Sequence, residues 1–349
     1  MPTEPEKKGT SIGRRRLIIA IKFGLVAGLI WAIIHFGWLD LSELTSVAGK
    51  PFHLALAAAL MLVALLLTAL RWRMLLAVQG VRPAAWEVIR LSFIGFFFSN
   101  VIPGGVSGDA VKAYYVVREH GKTPRAITSV LVDRFIGLYT LVLTASATVA
   151  VCRLSGSLSE VFARPRVLML CWIMIGLAAG MTLFSGAMLS RRAKESRAFN
   201  RLLDRLPFHK YISKLHDAIL LYRDNKGTLA CALALSAAAQ IPMVLVILLV
   251  GKALGDGGLS IGAYFFLAPV GLVINVIPIS PGGVGTTEGA LEFLFGAFGS
   301  TIGAEAAALW HVLFFGWSLI GMVLYIKGKK AYDAAAKETN ALGEIGCGS

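Results

Sequence analysis

Six long stretches of apolar residues constrain the fold of this chain more than any other feature. Each has the length that carries a helix across a hydrocarbon core of about 30 Å. One of them, Ala126 to Val151, carries Asp133 and Arg134 in its first third. The chain is 56% hydrophobic, so we predict an all-α polytopic membrane protein with six spanning helices. The other five stretches are Leu17 to Leu39, Phe52 to Leu70, Val167 to Leu189, Thr228 to Val250 and Ile302 to Ile326.

The tetrapeptide Asn-Val-Ile-Pro occurs twice, at 100–103 and at 275–278, about half the chain apart. Each copy is followed by Gly-Gly-Val, a further glycine and a carboxylate, Asp109 in the first copy and Glu288 in the second. Transporter folds are often built from internal repeats of this kind. We therefore predict a first membrane repeat over 17–152 and a second over 165–330.

The basic residues sort by membrane side. The net charge is +14, yet the loops on one side of the predicted spans hold only Lys50, Arg153, Arg164, Arg166 and Lys252. This is the positive-inside bias, and it differs from a nucleic-acid-binding patch. It predicts a multi-pass protein of the cytoplasmic (inner) membrane of a bacterium or archaeon. Both the N-terminus, 1–16, and the tail, 331–349, are then cytoplasmic.

Both copies of the tetrapeptide interrupt apolar stretches that are too short to cross a membrane twice. Trp86 to Ser99 would extend only about 21 Å as a helix. We predict two re-entrant helical hairpins, at 86–118 and 260–298. The predicted turn residues are Pro103, Gly104, Gly105 and Gly108 in the first hairpin, and Pro278, Pro281, Gly282, Gly283 and Gly285 in the second.

This assignment gives three spans and one hairpin in each half. Because three is odd, the second half starts on the opposite side of the membrane and forms an inverted-topology repeat. The two hairpin tips then meet near the midplane from opposite faces. Broken helices leave backbone groups that lipid cannot satisfy, so such tips persist only against protein or a polar cavity. The repeat thus predicts an internal polar site.

Polar residues near the two tips are the candidates for substrate binding or translocation, because ionisable groups at membrane depth are usually functional. Simpler roles remain open: Asp109 could cap a helix, the asparagines could satisfy broken backbone, Arg118 could reach the interface, and Glu292 could face the outer boundary. The candidates are Asn100, Asp109, Lys112, Arg118, Asp133, Arg134, Asn275, Glu288 and Glu292.

Arg134 and three charged or titratable residues outside this set have open interpretations. Arg134 could pair with Asp109 or offer its guanidinium to a phosphate. Arg71 and Arg73 flank Trp72 at the end of a span and resemble an interfacial anchor. His311 lies within the last span, where it could relay protons or make a structural hydrogen bond.

The longest hydrophilic segment is the loop 191–227. Its apolar spacing, broken by Pro207, predicts short amphipathic helices on the cytoplasmic surface, and its basic residues would attract anionic lipids. No phosphate loop, dinucleotide fingerprint or metal-binding motif is present. We therefore expect no cofactor, no metal and no enzymatic activity.

Three motifs carry a family resemblance: P-G-G-V-S-G-D at 103–109, V-D-R-F-I-G-L at 132–138 and P-G-G-V-G-T-T-E-G at 281–289. With these motifs the chain resembles the lysylphosphatidylglycerol synthase transmembrane, or flippase-like, family over roughly 15–330. The resemblance implies lipid movement between leaflets, with a phospholipid, an aminoacylated lipid, a hopanoid or a polyprenyl-linked lipid as partner. Family members often carry arginine where this chain has Lys112. We expect no lysyl-lipid synthesis, because the sequence lacks the soluble aminoacyl-transferase domain.

Our leading hypothesis is a lipid flippase or facilitator that passes a polar or charged head group through a midplane cavity between the two hairpins. One alternative is an ion-coupled secondary transporter of a small solute. Another is a membrane-embedded enzyme that acts on a lipid phosphate. A homo-oligomer is compatible with all three hypotheses.

Overall fold

A computed structural model describes residues 49–102, 107–121, 123–156, 158–189, 219–256, 258–277 and 280–346. All regular structure within these ranges is helical. Some predictions lie outside them: the N-terminal segment 1–16, the first predicted span at 17–39, most of the loop 191–227, and the turn residues Pro103, Gly104, Gly105 and Pro278.

Five of the helices are long and apolar enough to cross a membrane. The described helices are α1 (Pro51–Val78), α2 (Ala85–Val101), α3 (Ser107–His120), α4 (Thr123–Leu154), α5 (Ser159–Ala163), α6 (Pro165–Met188), α7 (Lys226–Ala253), α8 (Ile261–Asn275), α9 (Thr286–Ala297) and α10 (Gly303–Gly346). The five long apolar helices are α1, α4, α6, α7 and the first part of α10, and they correspond to five of the six predicted spans.

Two helical hairpins interrupt the series of long helices. The first consists of α2 and α3 and the second of α8 and α9, and the two arms of each hairpin pack together. The arms have 17, 14, 15 and 12 residues, or roughly 25, 21, 22 and 18 Å at about 1.5 Å per residue. Every arm is therefore shorter than the hydrocarbon core of a bilayer.

Local sequence explains where the arms begin and end. The α2 helix stops at Ile102, whose backbone is extended (φ −104°, ψ 123°), because a following proline disfavours the helical conformation. At the start of α8, the Ser260 hydroxyl accepts a hydrogen bond from the Ala263 backbone N–H. This is the usual role of serine at a helix N-cap.

The same packing scheme occurs in both halves of the chain. In each half, a long helix is followed by a hairpin and a second long helix, and the returning arm packs on that second helix. The first arm of each hairpin instead packs on the last long helix of the other half, α2 on α10 and α8 on α4. This reciprocal exchange is what a duplicated unit with internal symmetry would produce.

The first described long helices of the two halves, α1 and α7, run antiparallel. At the start of α1, the Lys50 ammonium donates to the backbone carbonyl of Lys252, at the end of α7, over 3.0 Å. Near the end of α1, Arg71 Nη1 donates to Ser236 Oγ, in the first half of α7, over 2.6 Å. An inverted repeat requires this opposite direction of equivalent helices.

The apolar core combines buried residues of α1, α4 and α6 with those of α7, α8, α9 and α10. Its centre combines small residues such as Ala57 with large side chains such as Tyr264 and Phe266, all fully buried. In contrast, α6 leaves Trp172 and Leu183 exposed. An apolar interior with an equally apolar periphery is expected of a bundle surrounded by lipid.

Gly108 belongs to a helix rather than to the hairpin turn in which the sequence analysis placed it. It lies in the first turn of α3, where α3 approaches α2 closely. A Cβ atom at this position would overlap the carbonyl oxygen of Gly95 and the hydroxyl of Ser99. Gly108 is therefore required by the contact between the two arms.

We predict that Gly108→Ala destabilises the protein by about 1–3 kcal/mol, because overpacking at this contact must push the arms apart. Gly289→Ala is the matched control, since it lies near the start of the other returning arm and a Cβ there meets nothing within 4 Å. That variant should be neutral or gain up to ~1 kcal/mol. Thermal unfolding of the purified variants in detergent measures both, and equal shifts would contradict this packing.

Candidate functional site

A cavity of about 290 Å³ lies between the two hairpins and the long helices that surround them. Residues of both halves contribute to its wall, as expected from a site at the repeat interface. Its polar lining consists of Thr68, Arg71, Ser92, Ser99, Asn100, Asp109, Lys112, Asp133, Arg134, Gln240, Asn275 and Ser280. Six of the nine residues predicted from the sequence therefore meet in one place.

Arg71 forms a buried ion pair on the wall of this cavity. Its Nε donates to Asp133 Oδ1 over 2.7 Å, and the two side chains are 6% and 12% exposed. Its Nη1 donates to Ser236, which also hydrogen-bonds Thr140. The pair therefore ties α1, α4 and α7 together.

The interpretation of Arg71 as an interfacial anchor was wrong. Trp72 beside it is also buried and donates to Ser129, whereas Arg73 is exposed and donates to the Pro83 carbonyl. The sequence signal that could have identified Arg71 is the buried acid at Asp133, which needs a cationic partner.

Asp109 lies between two cations on the wall of the cavity. Its Oδ2 accepts a hydrogen bond from Arg134 Nε, and its Oδ1 is 3.6 Å from the Lys112 ammonium. Its side chain is 7% exposed, whereas that of Arg134 is 42% exposed. Arg134 therefore lies at the edge of the cavity and Asp109 inside it.

Aromatic rings and a glycine fix the position of Lys112. The ammonium stands 5.3 Å from the ring centroids of both Trp72 and Phe96, within the range of a cation–π interaction. Its methylene chain crosses α2 at Gly95, where a Cβ would collide with it. Lys112 is thus held on the cavity wall and does not extend to an interface.

The turn of the second hairpin reaches the first hairpin at Asn100. Gly282 and Gly283 have φ angles of 62° and 81°, which glycine adopts without strain. A Cβ at Gly282 would lie 2.9 Å from Asn100 Oδ1, and a Cβ at Gly283 would overlap the side chain of Asn275. The absence of side chains on these glycines lets the tips of the two halves meet.

Asn100 has no hydrogen-bond partner for either side-chain polar atom within the described ranges, although it is only 1% exposed. The hydroxyl of Ser92, two turns earlier on α2, is also buried and without a partner there. Buried polar groups are nearly always hydrogen-bonded. Both side chains line the cavity, so they are available to a molecule inside it.

Glu288 supports the second turn from behind and does not line the cavity. Its Oε2 accepts from the Gly285 backbone N–H over 2.7 Å, and its Oε1 lies 2.7 Å from His311 Nδ1. His311 Nε2 in turn lies 3.1 Å from the Gly282 carbonyl oxygen. Both Glu288 oxygens are thus engaged, and His311 makes the structural hydrogen bonds that the sequence analysis left open.

The two halves contain similar acid–base pairs between the returning arm and the next long helix. Asp109 pairs with Arg134 across 25 residues of sequence, and Glu288 with His311 across 23. The first pair is charged and borders the cavity. The second lies behind the turn, so the charged residues that line the cavity within the described ranges all come from the first half.

Residues 19–325 match the family model described as the lysylphosphatidylglycerol synthase TM region. The chain belongs to this family. It is 28% identical over 320 residues to a protein of Haloferax volcanii named glycosyltransferase AglD, an alignment that covers 81% of this chain and 50% of that protein. It is 25% identical over 319 residues to a UPF0104 membrane protein of Methanothermobacter thermautotrophicus, covering 84% and 87%. The chain thus spans about half the length of the first relative.

Arg118 and Glu292 lie outside the cavity of this family member. Arg118 is exposed in the last turn of α3, farther from the tip than Lys112. Glu292 lies one helical turn beyond Glu288 and is also exposed. It lines a separate surface groove with Arg164 and Arg166.

Glu87, Glu119 and His120 have the donor atoms for a metal ion, all within 4.8 Å, at the base of the first hairpin. Existing contacts already use these groups. Glu119 accepts from Arg90 over 3.3 Å, and His120 hydrogen-bonds Glu87 over 3.2 Å. Burial is the main cause that raises the pKa of Glu119, and the neighbouring Glu87 raises it further. The cluster therefore joins α2 to α3 as an ion-pair network.

We predict that Arg71→Gln costs about 3–5 kcal/mol of stability, because it leaves the Asp133 carboxylate buried without its cation. Arg73→Gln, two residues away on the exposed side, should stay within about 0.5 kcal/mol of wild type. Thermal unfolding in detergent measures both variants. The double variant Arg71→Gln/Asp133→Asn should be more stable than Arg71→Gln alone. Additive losses would contradict the pairing.

Proposed function

We propose that this protein moves a polar lipid head group between membrane leaflets, as a flippase or facilitator. The observation that carries the proposal is the cavity between the hairpin tips, where Arg71, Asp109, Lys112, Asp133 and Arg134 collect inside an otherwise apolar bundle. Membership of a family described by a lipid synthase TM region supports it.

A head group does not cross a bilayer unaided, because charged and polar groups are costly in hydrocarbon. The cavity offers charged and hydrogen-bonding side chains in place of water, while the acyl tails remain in lipid. Its volume of about 290 Å³ is near the lower end of small-ligand pockets, roughly 300 Å³. With its side chain 42% exposed, Arg134 would meet the head group first.

We place the protein in the cytoplasmic membrane with six spans and two re-entrant hairpins that enter from opposite faces. The short arms, the antiparallel α1 and α7, and the sorting of basic residues all support this arrangement. On that orientation the end of α1 is cytoplasmic. Arg71 lies seven residues before that end, so the charged part of the cavity would be nearer the cytoplasm.

Apolar side chains line the cavity toward the start of α10. Trp310 stacks on Phe314 with ring centroids 5.3 Å apart, and its indole N–H donates to the sulfur of Met243. These residues would separate the head group from the opposite leaflet. We propose that they part during translocation, as alternating access between repeats requires.

We further propose that the chain is not itself an enzyme and needs no cofactor. The relative named a glycosyltransferase is only half covered by the alignment, so its activity does not transfer to this chain. The charged cavity residues are paired with one another by ion pairs. They do not present the arrangement of nucleophile and general base that covalent catalysis needs.

Reconstitution into liposomes with tail-labelled fluorescent lipids tests the proposed function. Wild type should accelerate the loss of inner-leaflet protection from external dithionite for at least one lipid in a panel of head groups. Arg134→Ala and Asp109→Asn should slow that exchange by about tenfold or more, the scale of a lost charge-assisted hydrogen bond. Arg73→Gln should exchange at the wild-type rate. If wild type moves no lipid in the panel, the protein is not a flippase.

A further inference from the structure

We infer that the cavity binds the phosphate group of a lipid with net negative charge, with Lys112 and Arg134 as its cationic contacts and Asn100 and Ser92 as its hydrogen-bonding contacts. This inference rests on the proposed function and adds the chemical class of the head group. It follows from the charge and hydrogen-bond inventory of the cavity wall.

Among the described residues, three cations line the cavity, Arg71, Lys112 and Arg134, against two carboxylates, Asp109 and Asp133. Arg71 and Asp133 neutralise each other at 2.7 Å. Asp109 accepts its hydrogen bond from Arg134 and lies 3.6 Å from the Lys112 ammonium, whose side chain is only 10% exposed. A buried cation without a closely paired anion is unfavourable, and an anion in the cavity beside Lys112 would supply one.

The neighbouring acid–base pair of the second half does not supply this missing charge. His311 Nε2 faces the Gly282 carbonyl, which only accepts, so Nε2 must carry a proton. One further proton then lies between His311 Nδ1 and Glu288 Oε1. Whichever atom holds that proton, the pair as a whole is neutral.

The unused hydrogen-bonding capacity also suits a phosphate. The Lys112 ammonium has three donors, yet within the described residues its nearest carboxylate oxygen is 3.6 Å away, beyond a normal hydrogen bond. The Asn100 amide and the Ser92 hydroxyl add donors that are buried and without partners there. A phosphate has the acceptor oxygens to satisfy all three groups.

An ammonium head group fits the same wall poorly. The two carboxylates that it would need are both held by arginine hydrogen bonds. It would also add a second positive charge beside Lys112 and Arg134. The side-chain exposures of these two, 10% and 42%, instead suggest a path on which a phosphate meets Arg134 at the edge and Lys112 deeper inside.

A comparison of head groups in proteoliposomes tests the inference. Tail-labelled phosphatidylglycerol, phosphatidylcholine and a trimethylammonium lipid without phosphate are compared at equal concentration. We expect wild type to exchange phosphatidylglycerol at least about tenfold faster than the trimethylammonium lipid. Lys112→Gln should lose most of this preference, whereas Lys112→Arg and Arg73→Gln should keep it. Arg134→Gln is the second variant if Lys112→Gln does not fold.

The outcomes separate this inference from the proposed function. Equal exchange of all three lipids, or fastest exchange of the trimethylammonium lipid, would show that the phosphate assignment is wrong while lipid translocation stands. No exchange of any lipid would refute the proposed function and the inference together. Vesicles loaded with labelled inorganic phosphate give the last comparison, because release of free phosphate without lipid exchange would contradict a lipid as the source of the phosphate.

Discussion

The contact between the two hairpin tips is the constraint on which the rest of the structure depends. A turn that interrupts a helix leaves backbone groups without intrahelical partners, and lipid offers them no hydrogen bonds. In this protein Gly282 of the second turn lies against Asn100 of the first hairpin, so the turn of one half packs on protein of the other half.

The ion pairs beside the hairpins depend on the same contact between the two halves. The cavity beside this contact has walls from both halves, and ionisable residues can lie at membrane depth if they have partners. Arg71 with Asp133 and Arg134 with Asp109 provide these partners. The first pair connects α1 to α4, and the second connects α4 to α3 of the first hairpin. The second half uses the Glu288–His311 pair to hold its own turn. The halves are thus alike in architecture and different in electrostatics, and our proposed site follows from that difference.

The helical membrane fold and the family were predictable from the sequence. The length of an apolar stretch and the positions of glycine and proline can each be read within one segment of the chain. The sequence also suggested that Arg134 meets Asp109, a contact that the structure contains. Contacts between distant segments were not predictable in this way. Arg71 was misread because its partner Asp133 lies 62 residues away, on another helix. Glu288 was expected in the cavity because it follows the turn, but its pairing with His311 depends on how α9 packs on α10.

Membrane-sided labelling of the two hairpin bases tests the central claim, that the hairpins enter from opposite faces. With Cys152, Cys171, Cys231 and Cys347 replaced, single cysteines are introduced at Ala84, before α2, and at Thr301, between α9 and α10, both exposed. The cysteine at Thr301 should react with a membrane-impermeant maleimide in intact cells, and the cysteine at Ala84 only after permeabilisation. Reaction of both from the same side would contradict the inverted arrangement and the cavity that we derive from it.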